Sequence, residues 1–241
     1  MSNPLPLFYK NIVPLSSINH KNHYIEYADT FNFAKKTNST YIANVEFLKA
    51  SREYPIVFAI EKGKTVYPVV LLGLDKDQNL FIDKNGKWLA NYVPAYVRRY
   101  PFILARTQTG DDNYTICVDD QYPGFNTDKK GERLFGRSGT YSDQLKKSIE
   151  FLKEYNNHTQ NTAAFCAKLV ELNILEPMKL SVKTNEGKQL SMSGFMGVNR
   201  KKFKALPSEK IIDLFKTDQL ELIYLHLASL TNIETLMQRL D

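Results

Sequence analysis

The feature that most constrains this chain is a change of hydrophobic period near residue 140. Before it, apolar residues come in short runs divided by polar turns. Ile56–Ile60 and Val66–Leu72 are separated by Glu61–Lys64, Asn79–Asp83 follows the polar turn Asp75–Gln78, and Tyr114–Val118 follows the polar stretch Thr107–Asn113. Runs of this length bounded by turn residues predict strands joined as an antiparallel meander or small barrel. After Ser142, which reads as a helix cap, Leu145, Ile149 and Leu152 recur at the spacing of an amphipathic helix. The pattern weakens around Asn156-Asn157-His158 and resumes with Ala163, Cys166, Leu169 and Val170. That reads as two helices, or one with a break. Leu180–Lys183 and Gln189–Met192 flank the hairpin signal Asn185-Glu186-Gly187, and Phe195–Val198 continues as strand. A helix capped by Ser208 follows, and then a last helix carrying the stripe Leu220, Ile223, Leu227 and Leu230. The fold class is α+β, with a β-rich half over about 1–135 and a helix-rich half over about 140–241, read as one domain.

The remaining segments fit this frame. Pro4, Pro6 and Pro14 make the N-terminus an extended arm. Tyr24–Tyr27 and Tyr41–Val45 read as strands, Phe31–Ala34 as the opening of a helical or turn segment, and residues 44–52 as a short helix stopped before Pro55. Residues 120–140 read as loop. At 43% hydrophobic and 24% charged residues, the chain has the means to bury a substantial core. The net charge of +6 is spread among interleaved signs rather than gathered on one stripe, which argues against a nucleic-acid binder. Cys117 and Cys166 are too few and too far apart for a disulfide framework or a cysteine zinc site, and read as reduced thiols of a cytoplasmic protein. The N-terminus lacks the pattern of a secretory signal. No apolar run approaches the roughly 18 residues of a membrane span.

Chemistry-bearing residues concentrate in Lys87–Phe102, which holds the only Trp, four further aromatics, two prolines and the pair Arg98-Arg99. A guanidinium beside aromatic rings is suited to clamp a carboxylate or phosphate, because its planar fork bonds two oxygens at once. If the stretch is a strand, only one of the two arginines shares a face with Tyr96 or Tyr100. The plain alternative is a core packing role, with one Arg paired to a buried carboxylate such as Glu46. Candidate ligand-binding residues are therefore Glu46, Trp88, Tyr92, Tyr96, Arg98 and Arg99, joined by His20 and His226. Two histidines and a carboxylate can hold non-haem iron, but His20 and His23 are the only local pair, and His226 on an apolar helix reads as a core histidine. Asp111-Asp112 and Asp119-Asp120 read as solvated turn acids, and Arg200–Lys204 as a solvated turn. No metal or cofactor is called for. Serine-hydrolase, Walker, dinucleotide-binding and zinc-protease motifs are all missing.

Glu46-Phe47, Tyr54-Pro55-Ile56-Val57-Phe58, Leu72-Gly73-Leu74, Asn79-Leu80-Phe81, Trp88, Tyr92–Tyr96 and Arg98–Phe102 follow one another in a pattern that resembles the SapC family. Leu222–Leu236, with His226 and Ser229-Leu230, resembles the end of that family, and His20 sits where the family tends to place an early histidine. The family takes its name from a bacterial gene beside those for a surface-layer protein and a type I secretion system. Other members lie near genes for flavin-dependent halogenases, cupin-like proteins and TonB-dependent receptors. The resemblance carries no catalytic residues with it. It implies a bacterial cytoplasmic accessory that binds or chaperones a surface-layer protein or another secreted client, with secretion components as partners. Two other readings stay open: an enzyme acting on a peptide or small metabolite, and a nucleic-acid-binding regulator.

Overall fold

The computed structural model of the protein describes residues 5–61, 65–106, 114–183 and 189–240. The expected turn Glu61–Lys64 lies mostly outside them, and Asp111-Asp112 and the turn Asn185–Gly187 lie wholly outside. In chain order the elements begin with β1 (Ile12–Pro14), β2 (Tyr24–Ile25), β3 (Ser39–Tyr41), α1 (Phe47–Ala50), β4 (Ile56–Ile60), β5 (Val66–Leu71) and α2 (Ala95–Arg98). Next come β6 (Phe102–Arg106), β7 (Tyr114–Asp119), β8 (Phe125–Asn126), β9 (Glu132–Arg133) and α3 (Asp143–Glu171). β10 (Leu175–Lys183), β11 (Gln189–Val198), α4 (Arg200–Lys204), α5 (Ser208–Lys216), α6 (Gln219–Ser229) and α7 (Asn232–Gln238) complete the series. The fold is α+β, with antiparallel sheets mostly in the N-terminal half and helices mostly in the C-terminal half.

The chain divides into two compact units, Met1–Thr30 with Val97–Asn156, and Phe31–Tyr96 with Asn157–Asp241. In the first, β6 and β7 form an antiparallel hairpin and β1 pairs with the far edge of β7, giving the order β1-β7-β6. A second small sheet, β8-β2-β9, joins β2, within the expected strand Tyr24–Tyr27, to β8 and β9 from the segment expected to be loop. Glycine makes this pairing possible. A Cβ at Gly124 would lie 1.9 Å from the Glu26 carbonyl oxygen, and one at Gly131 would lie 2.2 Å from that of Ile25.

In the second unit the order is β10-β11-β4-β5-β3, all antiparallel. Its central strands are buried on both faces, with Ile56, Val57, Phe58, Val70 and Leu71 in the core, as continuous apolar runs predict. The long β10–β11 hairpin, although late in the chain, adds to this sheet through Phe195 and Met196 opposite Ala59 and Phe58.

Five local expectations give way to local chemistry. Asn79–Asp83 forms only one isolated bridge, Ile82 to Trp88, because Asn79 Oδ1 accepts from the Phe81 N–H and competes with a strand ladder. Residues 95–98 are helical after Pro94, so Arg98 and Arg99 do not alternate as on a strand. α3 runs unbroken through Asn156–His158, where the Thr162 hydroxyl bonds the His158 carbonyl and Asn156 donates to the Tyr114 hydroxyl. The last helix is instead two: near its break the Thr231 hydroxyl bonds the Ala228 carbonyl, and Asn232 donates to the Ser51 and Tyr54 carbonyls. Arg200–Lys204, expected as a turn, is helical and is capped by the Asn199 side chain on the Lys202 N–H.

Candidate functional site

Five of the eight residues singled out from the sequence lie in the second unit: Glu46, Trp88, Tyr92, Tyr96 and His226. Three of these share one hydrogen-bond network. Glu46 is buried at the start of α1, where it accepts from the Ala43 N–H, the Tyr92 hydroxyl and the Ala95 N–H, each at 2.7 Å. The Trp88 indole N–H donates to the Tyr54 hydroxyl at 2.8 Å, and that hydroxyl donates to the Tyr92 carbonyl. Burial pushes the Tyr54 phenol well above its ordinary range, which keeps it a donor. Glu53 holds the same loop from outside by accepting from the Asn91 and Tyr92 N–H groups. The aromatic-rich stretch is thus fastened by the two carboxylates of the segment before β4. Tyr54 and Glu53 were not singled out from the sequence, although Tyr54 is an aromatic beside a proline at a strand start.

Tyr54→Phe is expected to destabilise the protein by about 1–3 kcal/mol, because it leaves the buried indole N–H without an acceptor. Trp88 is the only tryptophan, so the same substitution should shift the intrinsic emission at the unchanged indole. Thermal unfolding and fluorescence spectra read the two effects separately.

His226 is fully buried on α6. Its Nδ1 contacts the Ile56 carbonyl at 2.8 Å and its Nε2 accepts from the Val198 N–H at 3.0 Å. Both ring nitrogens are occupied by backbone, as befits a core histidine. Burial, opposed by the Ile56 carbonyl and helped by the charge of Arg200, pulls its pKa down to about 4. Tyr96 is half-buried on α2.

His20, Arg98 and Arg99 lie in the first unit. His20 Nδ1 accepts from the Ser16 N–H at 3.1 Å, and its ring meets His23 edge-on with centroids 5.1 Å apart. Burial and the neighbouring His20 lower the pKa of His23. The Arg98 guanidinium lies 5.1 Å from the Phe151 ring centre, and that of Arg99 lies over both Tyr155 and Tyr9. Asp119, expected in solvent, is instead fully buried and accepts from the Lys10, Asn11 and Gln121 N–H groups and the Tyr100 hydroxyl. Among the described residues, no three of His, Cys, Asp or Glu gather as a metal site would need. Cys117 and Cys166 are free and buried, and burial pushes Cys166 up to about 12, away from thiolate chemistry.

A concave feature of the second unit lies elsewhere. An open groove of about 500 Å³ runs between the turn entering α1, the second half of α3 and the start of α6. Its apolar lining is two pairs, Val45 and Leu48 around the start of α1 and Leu222 and Leu225 of α6, with the buried Phe165. Thr162 fixes one edge, accepting from the Asn44 N–H at 2.8 Å. Sequence reading passed over this groove because it looked for ionisable clusters. The available signal was α6 itself, which is apolar on a second face beyond the buried Ile223 and Leu227.

No helix among the described residues is long and apolar enough to cross a membrane. No curated protein and no solved structure matches the chain. The family model described as SapC matches residues 15–236, nearly the whole length, and on that match the chain belongs to the SapC family.

Proposed function

We propose that this protein is a bacterial cytoplasmic accessory that binds a surface-layer protein, or another secreted client of a type I secretion system, without altering it covalently. The observation that carries the reading is the open groove of the second unit, where Val45 is 54% exposed and Leu48 49% exposed. Apolar side chains left in solvent beside a concavity favour a partner that covers them. The residues on which an enzymatic reading would lean most, Glu46 and Trp88, are buried and hydrogen-bonded into the loop that they fasten. The spread of charge gives a nucleic-acid partner no stripe to follow.

The test is capture of purified surface-layer protein by the immobilised chain, beside an unrelated basic protein as control. Enrichment over the control is expected, with at least a tenfold loss in a Leu48→Glu variant. Equal recovery by the chain and the control would overturn the proposal.

A further inference from the structure

Resting on that reading, we propose that the groove seats an amphipathic client segment. The segment's apolar face would enter between Val45–Leu48 and Leu222–Leu225, and its lysine or arginine side chains would meet Asp218 and Glu221. Three observations point to this occupant. First, each apolar wall is a pair of residues three apart on a helical turn, so both side chains of a pair lie on one side of their element. Two such ridges lining one concavity suit the alternating anchors of a bound helix. A small molecule would be enclosed on most of its surface, whereas this groove is only partly enclosed.

Second, the lining contains the carboxylates Asp218 and Glu221 and no lysine or arginine. Nearby lysines are engaged elsewhere: Lys168 lies 3.0 Å from Asp213 and within reach of Glu171, and Lys49 lies over the Tyr92 ring. Lys216 ends α5 beside the rim, where it complements the helix's own C-terminal dipole. A negative rim on a chain of net charge +6 selects for a cationic partner. Third, Gln219 Oε1, also in the lining, is buried and has no hydrogen-bond partner among the described residues. An N–H donor from an incoming segment would satisfy it.

Two fluorescently labelled helical peptides test this, one built of leucine and lysine and the other the same peptide with glutamate for lysine. Anisotropy titration of the full chain is expected to give at least tenfold tighter binding of the leucine–lysine peptide. Non-specific attraction to a +6 chain predicts the opposite order, so equal or reversed affinities for the unmodified protein would overturn the proposal. A double Asp218→Lys, Glu221→Lys variant should exchange the preference, and Leu48→Glu should weaken the leucine–lysine peptide at least tenfold. All three side chains are exposed, and Trp88 emission reports whether the variants fold. Tight binding of the leucine–lysine peptide that none of these changes alters would place the contact elsewhere and overturn the assignment. Surface-layer capture that survives both variants would overturn the groove and leave the accessory role standing. Peptide binding as expected, without surface-layer capture, would uphold the groove and remove the secretion role.

Discussion

Replacing Asp119 with alanine is expected to cost about 3–5 kcal/mol, a large share of the roughly 5–15 kcal/mol that holds a typical domain folded. The carboxylate is fully buried in the first unit, and its oxygens take hydrogen bonds from the backbone of Lys10 and Asn11 at 3.0 Å each and from the Tyr100 hydroxyl at 3.0 Å. Burial and the adjoining Asp119 push the Tyr100 phenol well above its ordinary range, so it remains a donor at any ordinary pH. Alanine would strand these donors together. Tyr100→Phe removes only one of them and leaves the carboxylate its N–H partners, so about 1 kcal/mol is expected there. Asp119→Asn should fall between, because its amide nitrogen sets a donor against other donors. The N-terminal arm reaches β7 through this contact, since Ile12 of β1 lies opposite Asp119 itself. Hydrogen exchange should therefore show the β1 amides losing protection in Asp119→Ala while the β4 and β5 amides keep theirs. Equal losses for Asp119→Ala and Tyr100→Phe in urea unfolding would show that the carboxylate is no anchor.

The same residue shows where sequence reading stopped. Asp119 ends an apolar strand next to another aspartate, and on pattern alone such a pair reads as a solvated turn. Its burial depends on backbone donors more than a hundred residues earlier, which no local pattern contains. The elements legible in advance were those set by local period: β4, β5, β7, the β10–β11 hairpin and the amphipathic α3. Those missed depend on distant backbone. β8 and β9 exist because glycines let two short segments approach β2. α3 continues through a weak stretch because side chains there satisfy one another and distant partners. The candidate site divided in the same way. Glu46, Trp88 and Tyr92 were three of eight candidate ligand-binding residues, and these three share a hydrogen-bond network. In that network they fasten a loop, and an exposed concavity is lined by Leu222 and Leu225 of α6, outside the stripe Leu220, Ile223, Leu227 and Leu230 that the sequence pattern marks.

The stability of the second unit is expected to depend on pH through His226. The Ile56 carbonyl can only accept, so Nδ1 carries the ring proton, and the Val198 N–H can only donate, so Nε2 is the acceptor. Protonating Nε2 would set two donors against each other in a dry site where Phe58 packs with ring centroids 4.9 Å away. The folded-state pKa of about 4 lies below the ordinary value of 6.5. Above pH 6.5 both folded and unfolded chains hold the ring neutral, and its contribution is fully present. Between 6.5 and about 4 only the unfolded chain takes up the proton, and stability falls by about 1.4 kcal/mol per pH unit, roughly 3 kcal/mol in all. His226→Gln should be less stable by about 2–3 kcal/mol at pH 7, because it matches the Val198 and Ile56 groups less well. It should lack this acid-dependent loss, so urea midpoints of the two proteins should converge as pH falls from 7 to 4.5. Every other titrating group, His23 included, is common to both and cancels in the difference. A gap that stays constant over that range would mean that His226 is not held neutral, and would return its ring to the list of groups free to serve a ligand.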